Sequence, residues 1–225
     1  MPLKDNSDTA KRTHPQIIFI ALIFISLVLW FFYRALFKFP EIFDETLGKA
    51  IFFGAPILIF VNVIGDQHII NSMSLKKLFA GLLRGLAFGG LMGFATVIAI
   101  MLKNKTALIA VPLFSLDRFW WESLLALLTA FWESLFFFGF IQTTIGSVFK
   151  SLKPVWQLLL VASLFLIFHL PNILLRFSGL DVSFILTLLF LFGLGQAIIF
   201  AKDKNVYTLI LTHTIWGLVL MLHFF

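Results

Sequence analysis

The chain has 225 residues, of which 60% are hydrophobic and only 12% are charged. Soluble domains are typically about 45–50% apolar, so this composition excludes a soluble globular domain. The net charge of +6 comes from basic residues scattered singly and in pairs, which is typical of membrane-protein loops and argues against a nucleic-acid partner. The chain has no cysteine, which excludes disulfides, thiolate metal sites and a cysteine nucleophile.

The apolar runs predict seven transmembrane helices. A helix needs about 20 apolar residues to cross a bilayer, and the runs lack the alternation of a membrane β-barrel. We expect an all-α polytopic bundle, with a polar tail over residues 1–16 and a single transmembrane domain over 17–225. Pro56 is expected to kink the second helix. In chain order the expected spans are 17–34, 50–65, 78–102, 119–149, 155–175, 182–201 and 206–225.

The segments between the spans give an orientation. The first apolar run lacks a small-residue cleavage site, so it is interpreted as an uncleaved helix. Seven spans put ten Lys and Arg residues on the N-terminal side and seven on the other, which favours a cytoplasmic N-terminus in a bacterial inner membrane. The following charged residues predict a segment at the membrane interface between the first two spans: Lys38, Glu41, Asp44, Glu45 and Lys49.

Four glycines recur every fourth residue in the third span, at Gly81, Gly85, Gly89 and Gly93. This spacing places them along one side of a helix, where backbones approach closely. The pattern is consistent with tight packing inside the chain or with a homodimer seam. Packing inside the chain is favoured, because the chain has many helices to pack.

Ionisable side chains inside the apolar spans are the candidate functional residues, since such groups usually face the bundle interior or a hydrated cavity. They are Glu133, His169 and His213. No basic residue lies within two helical turns of Glu133, so the sequence predicts an unpaired carboxyl, serving either as an acid or base or as a polar tie between helices. Glu122 shares the face of Glu133 but lies about 16 Å away, and is interpreted as a solvated charge at the helix end.

These residues resemble the motifs of the CPBP family of intramembrane proteases, the group of CAAX prenyl endopeptidases and bacteriocin-processing or self-immunity proteins. The family carries Glu-Glu-x-x-x-Arg, Phe-x-x-x-His and His-x-x-x-Asn on successive spans. Here the first motif begins at Glu133, the second is complete as Phe165 and His169, and the third begins at His213. The resemblance covers about residues 75–222.

The resemblance implies an intramembrane endopeptidase that acts on a membrane-associated peptide or protein. It implies that Glu133 and His169 activate a water molecule and that His213 steadies the oxyanion. Asn172, one turn after His169, is a candidate for a second oxyanion donor, and Phe165 is expected on the substrate side. Two histidines and a glutamate also match a zinc site, but the sequence lacks a helical His-Glu-x-x-His, so no metal cofactor is expected.

Three positions depart from the family motifs: Ser134, Phe138 and Gly217 replace a glutamate, an arginine and an asparagine. Losing both the glutamate and the arginine leaves no unpaired buried charge. Gly217 lacks an oxyanion donor of a kind typically worth about 10²–10³ in rate. An active enzyme and a non-catalytic scaffold, chaperone or immunity protein both remain open. A transporter with a proton relay is a third alternative, although no inverted repeat is evident.

Overall fold

The computed structural model describes residues 14–65, 68–105 and 119–224, and every regular element within those ranges is a helix. Six of the described helices are long and apolar enough to cross a membrane, and a seventh apolar stretch, Val206–Leu222, is shorter. The chain is therefore an all-α integral membrane protein, as the sequence predicted. The helices, labelled α1 to α7, are Pro15–Leu36, Glu41–Ile64, Leu78–Asn104, Phe119–Val148, Pro154–Arg176, Leu180–Asp203 and Val206–Phe224.

Short elements complete the described chain. The helix His68–Ser72 and the 3₁₀ turn Leu75–Lys77 lead into α3. Most of the polar tail expected over residues 1–16 lies outside the described residues, and α1 begins at Pro15.

Helix α2 begins at Glu41 and not near residue 50, so the charged residues from Glu41 to Lys49 belong to the helix itself. Its first half contains two stretches of wide π turns, Asp44–Gly48 and Ala50–Gly54, and ordinary α-helix resumes at Ala55, just before Pro56. The charged residues of this half pair within the bundle. Asp44, for example, accepts hydrogen bonds from the Tyr33 hydroxyl and the Arg34 guanidinium of α1.

The centre of the bundle is the second half of α4. Wide π turns run from Ser134 to Gln142, and every residue among them is buried. The aromatic residues here form the core, with the ring of Phe136 stacked on Phe53 of α2 at 4.8 Å between centroids. Phe137 packs edge-on against Phe168 of α5 at 5.4 Å. Helix α4 is thus enclosed by its neighbours, and side chains just before residue 134 enter the bundle interior.

The glycine face of α3 packs on α7. A Cβ atom at Gly85 would lie 2.7 Å from the Leu211 Cβ and 2.8 Å from the Thr208 carbonyl oxygen, which is too close for a side chain. Thr212 Oγ1, which donates to the Thr208 carbonyl of its own helix at 2.8 Å, also lies 3.3 Å from the Gly85 carbonyl oxygen. Further along, the Trp216 indole donates to Thr96 Oγ1 at 2.9 Å. The face that could have formed a dimer seam is therefore covered by α7.

We expect Gly85→Ala to destabilise the protein by about 1–3 kcal/mol, since the added methyl group overpacks a contact that includes a backbone oxygen. Gly90→Ala is the matched control, because no described atom lies within 4 Å of a Cβ at Gly90. That control should be neutral or slightly stabilising, since alanine favours a helix. Thermal unfolding in detergent checks both variants, and equal melting temperatures for the two would contradict the close contact.

Candidate active site

Glu133 is the last residue of regular α-helix in α4 before the π turns begin. Its side chain is only 4% exposed, and its two oxygens face different partners. Oε1 lies 2.6 Å from the Lys49 ammonium of α2. Oε2 lies 3.1 Å from His169 Nε2 of α5 and 3.5 Å from His213 Nε2 of α7. The structure thus brings together the three polar residues that the sequence singled out.

The hydrogen bonds of His169 require a proton between its ring and Glu133. Nδ1 lies 2.7 Å from the Phe165 carbonyl oxygen, which only accepts, so Nδ1 carries a hydrogen. Nε2 then bonds to Glu133 Oε2 either as the donor of an imidazolium or as the acceptor from a protonated carboxyl. Glu133 and His169 therefore share an exchangeable proton, which is the basic requirement of an acid–base pair.

His213 lies on the other side of Glu133, in an aromatic enclosure. Its ring contacts Phe192 at 4.9 Å and Trp216 at 6.2 Å between centroids. Among the described residues its Nδ1 has no hydrogen-bond partner, and its contact with Glu133 is longer than that of His169. The ring is fixed by packing more than by hydrogen bonds. Its N–H can therefore donate a hydrogen bond to another group in the cavity.

Lys49 was missed by sequence reasoning, and the expectation of an unpaired Glu133 is wrong. The lysine is 2% exposed and pairs with Glu45 of its own helix as well as with Glu133. Glu45 also accepts a hydrogen bond from Thr129, one turn before Glu133 on α4. The sequence did carry one indication that Lys49 is paired: it lies four residues after Glu45, which places both on one helix face. The run of charged residues around Lys49 was interpreted as a segment at the membrane interface, so this pairing was not predicted.

The charges of this cluster balance when His169 is protonated. Two carboxylates, Glu45 and Glu133, then face two cations, Lys49 and His169. Burial of charge in an apolar bundle is costly unless each charge is paired. The net charge is the same whether the shared proton lies on His169 or on Glu133, and the Lys49 ammonium beside Oε1 favours the arrangement in which Glu133 is ionised.

A second contact of α5 holds His169 in place. The Trp30 indole of α1 donates to the Phe168 carbonyl at 2.9 Å. Pro171 lies inside α5 and removes a helical N–H nearby, yet the helix continues to Arg176. The contact from α1 therefore supports α5 at the turn that carries the histidine.

A cavity of about 530 Å³ leads from the exterior to the cluster. Glu133, His169 and His213 line its inner end, and the exposed side chains of Lys38 and Arg176 lie at its mouth. The following residues also line it: Arg34, Glu41, Glu45, Lys49, Asn172, Ile185, Leu189, Trp216, Gly217 and Leu220. The mouth lies where α1 ends, α2 begins and α5 ends.

The predicted substrate contacts divide into two groups. Asn172 lines the cavity, and within the described part of the chain its carboxamide oxygen has no partner. Phe165 is fully buried and packs on the His169 ring at 4.3 Å between centroids. This corrects the expectation that Phe165 faces the substrate, because the ring lies behind the histidine and supports it.

Glu122 lies in the first turn of α4, away from the described cavity lining.

The three departures from the family motifs lie in different environments. Ser134 and Phe138 are fully buried, and the Ser134 hydroxyl has no partner among the described atoms. Gly217 lines the cavity, and the nearest described atom to a Cβ at this position is 3.9 Å away, on Ala126. The ion-pair positions have thus become part of the apolar interior, while position 217 borders the cavity, with one described side chain at van der Waals distance.

Comparison with known proteins supports the family resemblance. The family model for type II CAAX prenyl endopeptidase Rce1-like proteins matches residues 115–219. This segment contains Glu133, His169 and His213, and the match confirms the resemblance indicated by the sequence motifs. Helices α1 to α3, with Lys49, precede the matched segment. No curated protein and no solved structure matches the chain.

Within residues 14–65, 68–105 and 119–224, no group of three His, Asp or Glu side chains is arranged to hold a metal ion.

We expect the cavity mouth and the α6–α7 turn to lie on opposite sides of the membrane, because successive helices alternate in direction. The chain has no cysteine, so single-cysteine variants test this directly. Lys38→Cys at the mouth should react with a membrane-impermeant maleimide in vesicles of one orientation. Lys202→Cys should react only in vesicles of the opposite orientation. Labelling of both from the same side would contradict the helix order.

We expect Phe138→Arg to destabilise the protein, because it places a guanidinium in a fully buried aromatic position with only Ser134 at the partner site. Breaking or omitting one member of a buried pair costs about 3–5 kcal/mol. The Ser134→Glu, Phe138→Arg double variant is the matched control and should recover much of the lost stability. Melting temperatures of the two variants check this, and a stable single variant would show that the position is not desolvated.

Proposed function

We propose that the chain is an intramembrane endopeptidase that hydrolyses a peptide bond of a membrane-associated substrate. The observation that carries the proposal is the approach of His169 Nε2 and His213 Nε2 to Glu133 Oε2, at 3.1 and 3.5 Å, at the inner end of a cavity open to the exterior. The family match over residues 115–219 is consistent with a CAAX-type intramembrane protease.

In the proposed reaction a water molecule enters the cavity beside Glu133 and His169. The ionised Glu133 carboxylate removes a proton from the water, and the oxygen attacks the carbon of the substrate's peptide carbonyl. The C–O bond forms as the carbonyl π electrons move to the oxygen. Glu133 then returns the proton to the amide nitrogen as the C–N bond breaks, which releases a carboxylic acid and an amine. His169 orients the water and stabilises the charge of Glu133.

His213 is assigned to the oxyanion. Its Nε2–H makes only a long contact with Glu133, so it can turn to the negative oxygen of the tetrahedral intermediate. The asparagine that supplies a further donor in the family motif is replaced by Gly217. Asn172 lines the same cavity and offers an amide N–H₂ group, and we assign it to the second donor.

The cavity mouth suits a chain segment at the membrane surface. Exposed aromatic side chains, Phe37 and Phe39, lie there beside Lys38 and Arg176. An apolar segment or lipid-modified peptide would contact the rings, while Lys38 would contact headgroups or a terminal carboxylate. The proposed substrate is therefore a membrane-anchored peptide or protein, and it enters from the side that carries the α1–α2 connection.

We expect Glu133→Gln to lower kcat/KM for a membrane-anchored peptide by about 10²–10⁴, the usual contribution of a general base. Glutamine keeps the volume but does not accept a proton from water. The fold should survive, because Lys49 keeps Glu45 as its partner and His169 becomes neutral. His169→Ala should lower the rate similarly. The measurement is cleavage of prenylated and unprenylated membrane-anchored peptides by purified protein, with melting temperatures as the control for folding.

Equal rates for the original protein and the Glu133→Gln variant would show that Glu133 is not the base. Loss of activity on treatment with a chelator, reversed by zinc, would replace this mechanism with a metal-dependent one at the same residues. Absence of cleavage across the whole panel would favour a non-catalytic scaffold in which the cluster ties helices together.

We expect Gly217→Asn to raise kcat, because it returns a donor to the cavity lining, next to a site that already holds His213, and a Cβ there meets its nearest described neighbour only at 3.9 Å. The gain should approach but not exceed the value of one oxyanion donor, about 10²–10³. Gly217→Leu is the matched control, since it fills the same space without a donor, and it should lower the rate. A similar response to both substitutions would show that position 217 acts through cavity shape.

A further inference from the structure

Lys49 lies in the candidate site without having been part of the motifs that defined it. It belongs to α2, outside the segment that matches the family model. Its ammonium lies 2.6 Å from Glu133 Oε1 and also pairs with Glu45. At 2% exposure the lysine is almost fully withdrawn from water, and it lines the cavity that leads to the histidines.

The contacts form a closed network between α2 and α4. Lys49 joins the carboxylates of Glu45 and Glu133, and Glu45 accepts the Thr129 hydroxyl one turn before Glu133. Glu133 Oε1 is therefore held from the α2 side, and only Oε2 is presented to the histidines. Since χ rotation of a glutamate would exchange the two oxygens, a fixed Oε1 also fixes the direction of Oε2.

We propose that Lys49 is a positioning residue for Glu133, acting as the counter-ion that keeps this carboxylate ionised beside Glu45 and aims Oε2 at His169 and His213. The proposal rests on the proposed function, because it concerns the same carboxylate as general base. The charged or titratable groups that face Glu133 are Lys49 from α2, His169 from α5 and His213 from α7.

The net charge of the cluster distinguishes a counter-ion of Glu133 from a lysine that only links α2 to α4. With Lys49 the cluster of two carboxylates and protonated His169 is neutral. Lys49→Met leaves one excess negative charge, which a buried site relieves by binding a proton, and Glu133 takes that proton because its side chain is 5% exposed against 18% for Glu45. The Lys49→Met, Glu45→Gln double variant is neutral again, but nothing holds Oε1.

The first experiment is the pH dependence of kcat for peptide cleavage. For Lys49→Met we expect the acid limb to move to higher pH by at least one unit and kcat at the optimum to fall at least tenfold. Lys49→Arg should restore the acid limb, since it keeps a cation. The double variant should restore the acid limb but not kcat. Lys103→Met is the control, since it breaks an exposed ion pair with Asp181 elsewhere, and its profile should match that of the original protein.

An unchanged acid limb in Lys49→Met, with loss confined to melting temperature, would overturn the proposal and leave Lys49 as a structural tie. If Lys49→Met does not fold, the double variant decides, because it removes the same ammonium without leaving an unpaired charge. Full kcat in that variant would also overturn the proposal.

The second experiment does not depend on cleavage. Infrared difference spectra between the original protein and Glu133→Gln should show an ionised carboxylate at neutral pH. The same difference taken in the Lys49→Met background should show a protonated carboxyl. Persistence of the ionised band without Lys49 would overturn the proposal. A protein that cleaves no peptide but shows this change in protonation would contradict the proposed function while supporting Lys49 as the counter-ion of Glu133.

Discussion

The buried carboxyl group of Glu133, at the centre of an apolar helix bundle, is the constraint on which this structure depends. Transfer of an isolated carboxylate from water to such an interior costs many kcal/mol, so the charge is tolerated only with close partners. Glu133 receives them from three other helices: a lysine from α2 and a histidine each from α5 and α7. Assembly of the bundle and assembly of the site are therefore one event, because a helix out of place leaves a buried charge without its partner.

The packing around the cluster explains how these partners arrive at the same depth. Gly85 lets α7 approach α3 so closely that Leu211 and the Thr208 carbonyl would touch any added side chain. This contact between α3 and α7 fixes the position of α7 along the bundle axis. His213 lies within one helical turn of Leu211. On the other side, Trp30 binds the Phe168 carbonyl and fixes the turn of α5 that precedes His169. The packing of α3 on α7 and the contact from α1 to α5 together bring the residues of the cluster to the same depth in the bundle.

The sequence pointed to the three polar residues of the candidate site but not to the electrostatics around them. Glu133, His169 and His213 could be found because each is an ionisable residue in an apolar run and because their spacing resembles a family pattern. Lys49 could not be assigned in the same way, since its partner lies 84 positions away along the chain and no periodicity encodes such a pairing. Phe165 shows a similar limit of sequence-based prediction. The motif places it one turn before His169 on α5, but it does not indicate which neighbouring helix covers its ring.

The departures from the family motifs follow from the same constraint of charge pairing. In the family pattern a second glutamate and an arginine lie on the helix of the first glutamate. Here Ser134 and Phe138 remove that pair together, and the interior of α4 becomes aromatic, with both positions fully buried. The cation next to Glu133 instead comes from α2, through Lys49. Since Lys49 also has Glu45, it remains paired whether Glu133 is charged or neutral. The carboxylate can therefore gain and lose a proton without leaving its lysine unpaired, as the proposed role of Glu133 as a base requires.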